Sequence, residues 1–197
     1  MADADRQRWD AKYAIRSADA PLAPDAWLQE LVGPLSPGRA IDLACGAGDN
    51  ALWLAQQGWQ VDAVDISPVG LALANERARR AGVAITTIAA DIDDYSPEPA
   101  SYDLAIVFRF LERLHLPRLI VEALRPGGCL IYETFNRRHL LLPDVRMRDP
   151  AFALEPGELL RLYAKLEPLR SESCELENRS VDRLFARKKT GEADCLP

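Results

Sequence analysis

The chain has 197 residues, 48% hydrophobic and 27% charged, an ordinary composition for a soluble domain able to bury a full core. Its formal net charge of −6 argues against a protein that wraps a nucleic acid backbone, which needs a basic surface. Met1 to Asp10 is polar and acidic without the apolar core of a secretion signal, and no apolar run approaches the roughly 20 residues of a membrane span. Cys45, Cys129, Cys174 and Cys195 show neither CxxC pairing nor metal-ligand clustering, so no metal site is expected. Free thiols without a signal suggest the cytoplasm.

In chain order, Asp5–Ala14 has the make-up of a short helix carrying Trp9 and Tyr13, followed by a Pro21–Pro24 loop. A second helix is expected over Pro24–Val32, with Asp25 in its first turn and Gly33-Pro34 at its end. Strands and helices then alternate, the pattern of a parallel sheet with covering helices. Arg39–Leu43, Gln60–Val64 and Ala84–Ala89 read as the first three strands, with helices over Asp49–Gln57 and Pro68–Ala81. Tyr102–Phe108 is an apolar fourth strand, as expected when both faces are covered. A helix over Leu116–Leu124, a Pro126-Gly127-Gly128 turn and a strand over Cys129–Thr134 follow. Arg137–Ala153 reads as a long arginine-bearing loop and Glu155–Ala164 as a helix. Leu166–Glu175 and Ser180–Arg187 read as a closing antiparallel hairpin, and Lys188–Pro197 as a frayed tail.

The most informative segment is Asp42-Leu43-Ala44-Cys45-Gly46-Ala47-Gly48-Asp49-Asn50. Glycines between a strand and a helix let a ligand approach the backbone and leave the first helical N–H groups open. Gly46-Ala47-Gly48-Asp49-Asn50-Ala51 matches the GxGxxA dinucleotide fingerprint. The acids Asp42 and Asp49, however, are poor neighbours for a pyrophosphate and good ones for an ammonium. Asp65, ending the second strand, can accept both ribose hydroxyls of an adenosine, with Ile66 packing on the base. Asp91, just after the third strand and beside Ile92, can accept the exocyclic amine of adenine. An acid after each of three strands therefore matches the ammonium, ribose and adenine of S-adenosylmethionine.

On these residues, and on Tyr102–Val107, Arg125-Pro126-Gly127-Gly128 and the terminal hairpin, the chain resembles the class I S-adenosylmethionine-dependent methyltransferases. Trp9-Asp10-Ala11-Lys12-Tyr13, Phe108-Arg109-Phe110-Leu111 and Tyr132-Glu133-Thr134-Phe135 are similar to the small bacterial tellurite-resistance and thiopurine methyltransferases. The resemblance implies a single α/β domain over residues 1–197. Its fold would be a Rossmann-like three-layer sandwich with a seven-stranded, mostly parallel sheet and an antiparallel last strand. It also implies that Trp9, Tyr13, Asp42, Ala44, Cys45, Gly46, Gly48, Asn50, Asp65, Ile66, Asp91, Ile92, Phe108 and Arg109 line the cofactor site. Ala44 departs from the usual glycine, which is tolerable if its φ is negative. S-adenosylhomocysteine would be the product, and the acceptor a small molecule such as a thiol, a metalloid anion or a small acid.

Several residues keep two readings at this point. Arg109 either steers an anionic acceptor or pairs with Glu112 or Glu133. Trp9 and Tyr13 either form a lid or belong to a helix that merely packs on the sheet. His115 and His139 are candidate bases or ordinary loop residues. The arginines of 137–148 either bind an anion or form a solvated face, and Cys45 and Cys129 fit as packing residues. Trp53 and Trp59 are expected in the core. A non-catalytic cofactor-binding module and an NAD-dependent oxidoreductase are the alternatives to a methyltransferase.

Overall fold

In this computed structural model residues 2–190 are described. They fall into two compact units, divided between Ser96 and Pro97. The seven strands form one mixed sheet in the order β3-β2-β1-β4-β5-β7-β6.

The first unit opens with α1 (Ala2–Ala14) and α2 (Ala26–Val32). Asp25 lies just outside α2 rather than in its first turn: its φ of −66° and ψ of 132° are extended, and its carboxylate accepts from the Trp27 amide as the N-cap. There follow β1 (Arg39–Leu43), α3 (Asp49–Gln56), β2 (Gln60–Asp65), α4 (Pro68–Ala81) and β3 (Thr86–Ala89). β1 and β3 both pair in parallel with β2, and the register sets Asp42 against Ala63 and Asp65 against Ala89. Parallel pairing with a helix in each crossover brings the C-terminal ends of all three strands to one edge, where such sheets place their ligands. Ser67 caps α4 by accepting from the Gly70 amide, Pro68 occupies the first turn, and Gly82 closes the helix at φ 69°. Leu52, Ala74 and Ala78 pack together under Leu22, Val83 and Ile85. Trp59 is buried as expected, whereas Trp53 is only half-buried.

The second unit contains β4 (Tyr102–Phe108), α5 (Leu116–Ala123), β5 (Leu124–Phe135), α6 (Glu158–Leu162), β6 (Glu167–Leu176) and β7 (Arg179–Arg187). β5 runs parallel to β4, and β7 runs antiparallel to both β5 and β6. Leu104, Ala105, Ile106 and Val107 are fully buried, which explains why β4 is a continuous apolar run rather than an alternating one. Three expectations change here. The Pro126-Gly127-Gly128 turn is absorbed into a longer β5, because Leu124 already pairs with Tyr102 before the register shifts. The helix expected from Glu155 begins at Glu158, since Gly157 before it takes a φ of 69° that no helix accommodates. Lys188 is not frayed: its Nζ donates to the Val121 and Leu124 carbonyls at 2.7 and 2.6 Å, satisfying groups that the end of α5 leaves open. The rest of the proposed tail, residues 191–197 with Cys195, lies outside the described residues.

The loop of residues 137–153 is more ordered than its composition suggests. It holds two 3₁₀ turns, Arg137–Leu141 and Pro150–Phe152, capped by Asn136 and Asp149. The Arg113 guanidinium ties it down by donating to the Ala153 carbonyl at 3.0 Å and to Glu158 at 2.6 Å. Among the described residues, no helix is long and apolar enough to cross a membrane.

Candidate functional site

The Asp42–Asn50 turn is left-handed at three alternating positions, Ala44 (φ 60°), Gly46 (57°) and Gly48 (77°). The Cys45 amide donates to the Val64 carbonyl at 3.0 Å and the Gly48 amide to the Cys45 carbonyl at 3.0 Å. The condition on Ala44 is therefore not met: an L-residue with a Cβ occupies a conformation that favours glycine. At Gly48 a Cβ would lie 2.7 Å from Leu52 Cδ1 and 2.9 Å from Ala74 Cβ, so this glycine lets α3 and α4 approach.

Asp42 is buried in β1 at 2% exposure, and Asp65 ends β2 at 6%. Asp65 fastens the turn, accepting from the Gly46 amide at 2.7 Å through one oxygen and from the Ser67 amide at 2.8 Å through the other. Burial raises its pKa, and these two amides pull only partly in the other direction. Asp91 follows β3, is half-buried, and accepts from the Asp93 amide at 3.1 Å. Burial and the charges of Asp42 and Asp65 push the Cys45 thiol well above its ordinary range, so it is a packing group rather than a nucleophile. Ile66 is half-buried and Ile92 buried beside their acids.

Two residues of the turn have structural partners. Asp49 accepts from Arg77 at 2.7 Å and from the Ala23 amide at 3.2 Å, with Arg16 at 3.4 Å. Burial works against its charge, but Arg77 and the Ala23 amide outweigh it and hold its pKa below the usual value. Asp49, read from the sequence as a partner for an ammonium, is thus neutralised inside the protein. The Asn50 side-chain oxygen accepts from the Asp25 amide at 2.9 Å, which anchors the entrance to α2.

α1 lies on this turn. Trp9 and Tyr13 stack with ring centroids 5.8 Å apart, and the Lys12 ammonium sits 4.0 Å from the Trp9 ring. Asp10 accepts from the Ser67 hydroxyl, joining α1 to the start of α4. A Cβ on Gly46 would come within 2.3 Å of the Tyr13 hydroxyl oxygen, and one on Gly70 within 2.8 Å of its ring. The buried Tyr13 therefore fits between two glycines. Burial, then the Asp65 charge, raises its pKa, so its hydroxyl stays protonated.

Sequence reasoning missed Asp10, Ser67, Gly70 and Arg77. Gly70 carried a visible signal, as a glycine inside a good helical segment needs a reason. Arg77 carried none: only the fold directs its guanidinium to Asp49 and, at 2.8 Å, to the Ala47 carbonyl.

In the second unit, Phe108 ends β4 at 7% exposure and Arg109 follows it, exposed, with φ 58°. His115 is exposed at the start of α5 and gives that helix no side-chain cap. Glu112 does the capping, accepting from the Leu114, His115 and Leu116 amides at 2.6–2.7 Å. His139 is buried, stacks on Phe135 at 4.2 Å, accepts weakly from the Ser180 amide at 3.4 Å, and has its pKa lowered by burial. It packs as a neutral core ring. Arg137 pairs with Glu155, and Arg138 with Glu175 at 3.1 Å. On the neighbouring strands the fully buried Glu133 is held by Arg183 at 2.8 Å and Arg179 at 3.2 Å. Arg183 reaches on to Glu172 at 3.2 Å, a charged row across β5, β7 and β6.

A parallel α/β sheet with an acid at each strand end beside a glycine turn has the layout in which open α/β sheets bind nucleotides. Residues 40–128 match the family described as a methyltransferase domain. The ubiquinone biosynthesis O-methyltransferase of Bordetella avium is 30% identical over 136 residues, 66% of this chain and 56% of that protein. The chain spans about half the length of the curated relatives it matches. Among solved structures, TehB from Haemophilus influenzae superposes with a TM-score of 0.69 at 22% identity, covering 93% of this chain and 67% of that one. A structure concerned with conversion of a disulfide bond into a thioacetal group during echinomycin biosynthesis gives 0.76 at 21% identity, covering 95% and 93%. These likenesses establish the shared fold.

Proposed function

We propose that the chain binds S-adenosylmethionine at the Asp42–Asn50 turn and directs its methyl group to a small-molecule acceptor. The observation that carries this reading is the row of acids, Asp42, Asp65 and Asp91, at the ends of adjacent parallel strands around a left-handed turn. A buried carboxylate at Asp42 suits the ammonium of an amino acid and would repel a diphosphate. Asp65 gives one lone pair of each oxygen to the turn and keeps the others, enough to accept a pair of ribose hydroxyls. Asp91 with Ile66 and Ile92 supplies an acceptor and apolar contacts for an adenine. Gly46, Gly48, Ala44 and Cys45 bring backbone rather than bulk to the ligand, while Trp9 and Tyr13 cover it. Bound there, the cofactor supplies a sulfonium methyl for in-line displacement. A soft nucleophile needs no base; for a harder one, His115 is the candidate. The chain acts on this reading as one domain, in the cytoplasm, with no nucleic acid partner.

Calorimetric titration with S-adenosylmethionine and S-adenosylhomocysteine tests the proposal. Both should bind, and Asp65→Ala should weaken them by about 1–3 kcal/mol, the scale of lost charge-assisted hydrogen bonds. Asp91→Ala should also weaken them, and it disturbs only one local turn. Tight NAD binding with no affinity for either sulfur compound would overturn it.

A further inference from the structure

We propose that the second unit holds a binding site for a small organic ammonium ion, anchored by Asp182; it stands independently of the methyltransferase reading. α6 and the β6–β7 hairpin border a cavity of about 160 Å³. Leu159 and Leu160 of α6 give it an apolar wall, and Ser171, Ser173 and Asp182 supply polar groups. The antiparallel register sets Ser173 opposite Asp182, and alternation along each strand puts Ser171 and Ser180 on the same face as that pair.

Asp182 is 8% exposed. The Asn136 side-chain amide donates to its Oδ1 at 2.8 Å, and the Ser173 hydroxyl donates to the same oxygen at 2.7 Å. Among the described residues nothing donates to Oδ2, and no cation pairs with the carboxylate. The other charges bordering the cavity are matched. Glu172 takes Arg170 at 3.0 Å and Arg183 at 3.2 Å, and Arg183 also holds Glu133 at 2.8 Å. A carboxylate this far out of water, with only neutral donors, gains most from a cation. Ser180, on the same face, buries a hydroxyl without a partner among the described residues.

The donor set favours an ammonium over a metal. One carboxylate and two hydroxyls are too few for a hard divalent ion, which takes about six or more oxygens. An ammonium has three N–H donors. Asp182 Oδ2 accepts one, and the Ser173 oxygen, its proton already given to Asp182, keeps lone pairs for another. The leucine wall suits a short hydrocarbon part. The size suits a body of about six heavy atoms, since a cavity of about 150 Å³ takes benzene.

Matched probes of one shape test this by binding alone. The 197-residue chain is titrated with isobutylammonium, isobutanol and isobutyrate, followed by amide shifts in two-dimensional NMR. Isobutylammonium should shift the Ser171, Ser173 and Asp182 amides and bind at least tenfold more tightly than isobutanol, and isobutyrate should not bind. Asp182→Asn keeps an oxygen for both donors and removes the charge. It should cut isobutylammonium affinity tenfold or more and leave isobutanol unchanged. Leu160→Trp fills the cavity from a position that is 40% exposed, so it should block both probes with little effect on Tm. Should Asp182→Asn unfold, the wild-type contrast and Leu160→Trp decide. Equal affinity for amine and alcohol, affinity that survives Asp182→Asn or Leu160→Trp, or shifts confined to residues away from the hairpin would overturn the assignment. So would calcium chloride displacing isobutylammonium at equal concentration, since Asp182 would then be a metal ligand.

Discussion

Ala44→Gly should stabilise the protein. At φ 60° the alanine Cβ crowds its own carbonyl, a cost of about 1–2 kcal/mol for an L-residue in the left-handed region. Glycine removes that cost but gives the unfolded chain extra freedom worth about 0.4–1 kcal/mol. The methyl group lost is half-buried and contributes little packing. The net gain is about 0.5–1 kcal/mol, an increase in Tm of roughly 1–4 °C for a chain of this size. Differential scanning calorimetry of the wild type and variant at one protein concentration measures it. Ala47→Gly is the control in the same turn: Ala47 is buried at 2% and is not among the positive-φ residues, so this change should lower Tm. If Ala44→Gly is no more stable than wild type, or if both variants shift in the same direction, the strain at Ala44 is not real.

Other perturbations separate the parts of the site. Gly46→Ala should cost well over 1 kcal/mol, since its Cβ would meet the Tyr13 hydroxyl and its φ is 57°. Adding Tyr13→Ala should recover the steric part alone, and strict additivity in a double-mutant cycle would show that α1 does not press on the turn. Asp49→Asn should weaken the protein at neutral pH, because it leaves the buried Arg77 charge without its carboxylate. The Asp49 pKa is lowered in the folded state, so its contribution is full above the unfolded value near 3.8 and is lost as pH falls through the lower folded value. Urea unfolding of both proteins from pH 7 to pH 3 should show the gap closing only below about pH 4; a gap independent of pH would remove Asp49–Arg77 from the account.

Local pattern accounts for much of this molecule. Pro68–Ala81 and Tyr102–Phe108 have the boundaries expected of them, because proline, glycine and apolar continuity act over a few residues. The acids at three strand ends were equally legible, since parallel pairing puts every strand end on one edge. α6 and β5 were less so: their limits depend on Gly157 taking a left-handed φ and on a register shift against β4. Neither is a property of local composition.

By itself, then, the sequence determined an alternating α/β chain, the glycine turn and the acids suited to a sulfonium amino acid nucleoside. The tertiary structure decided which charges remain available. Asp49 and Asn50 stand beside Asp42 and Asp65 in the same motif, yet Arg77 and the Asp25 amide claim the first two. Glu112 and Glu133 were both candidate partners for Arg109 in the sequence, yet α5 and the β7 arginines claim them and leave the guanidinium exposed. The physical reason is that a charge is neutralised by whatever the fold brings within about 3 Å, and those partners lie 28, 25, 46 and 50 residues away along the chain for Asp49–Arg77, Asn50–Asp25, Glu133–Arg179 and Glu133–Arg183.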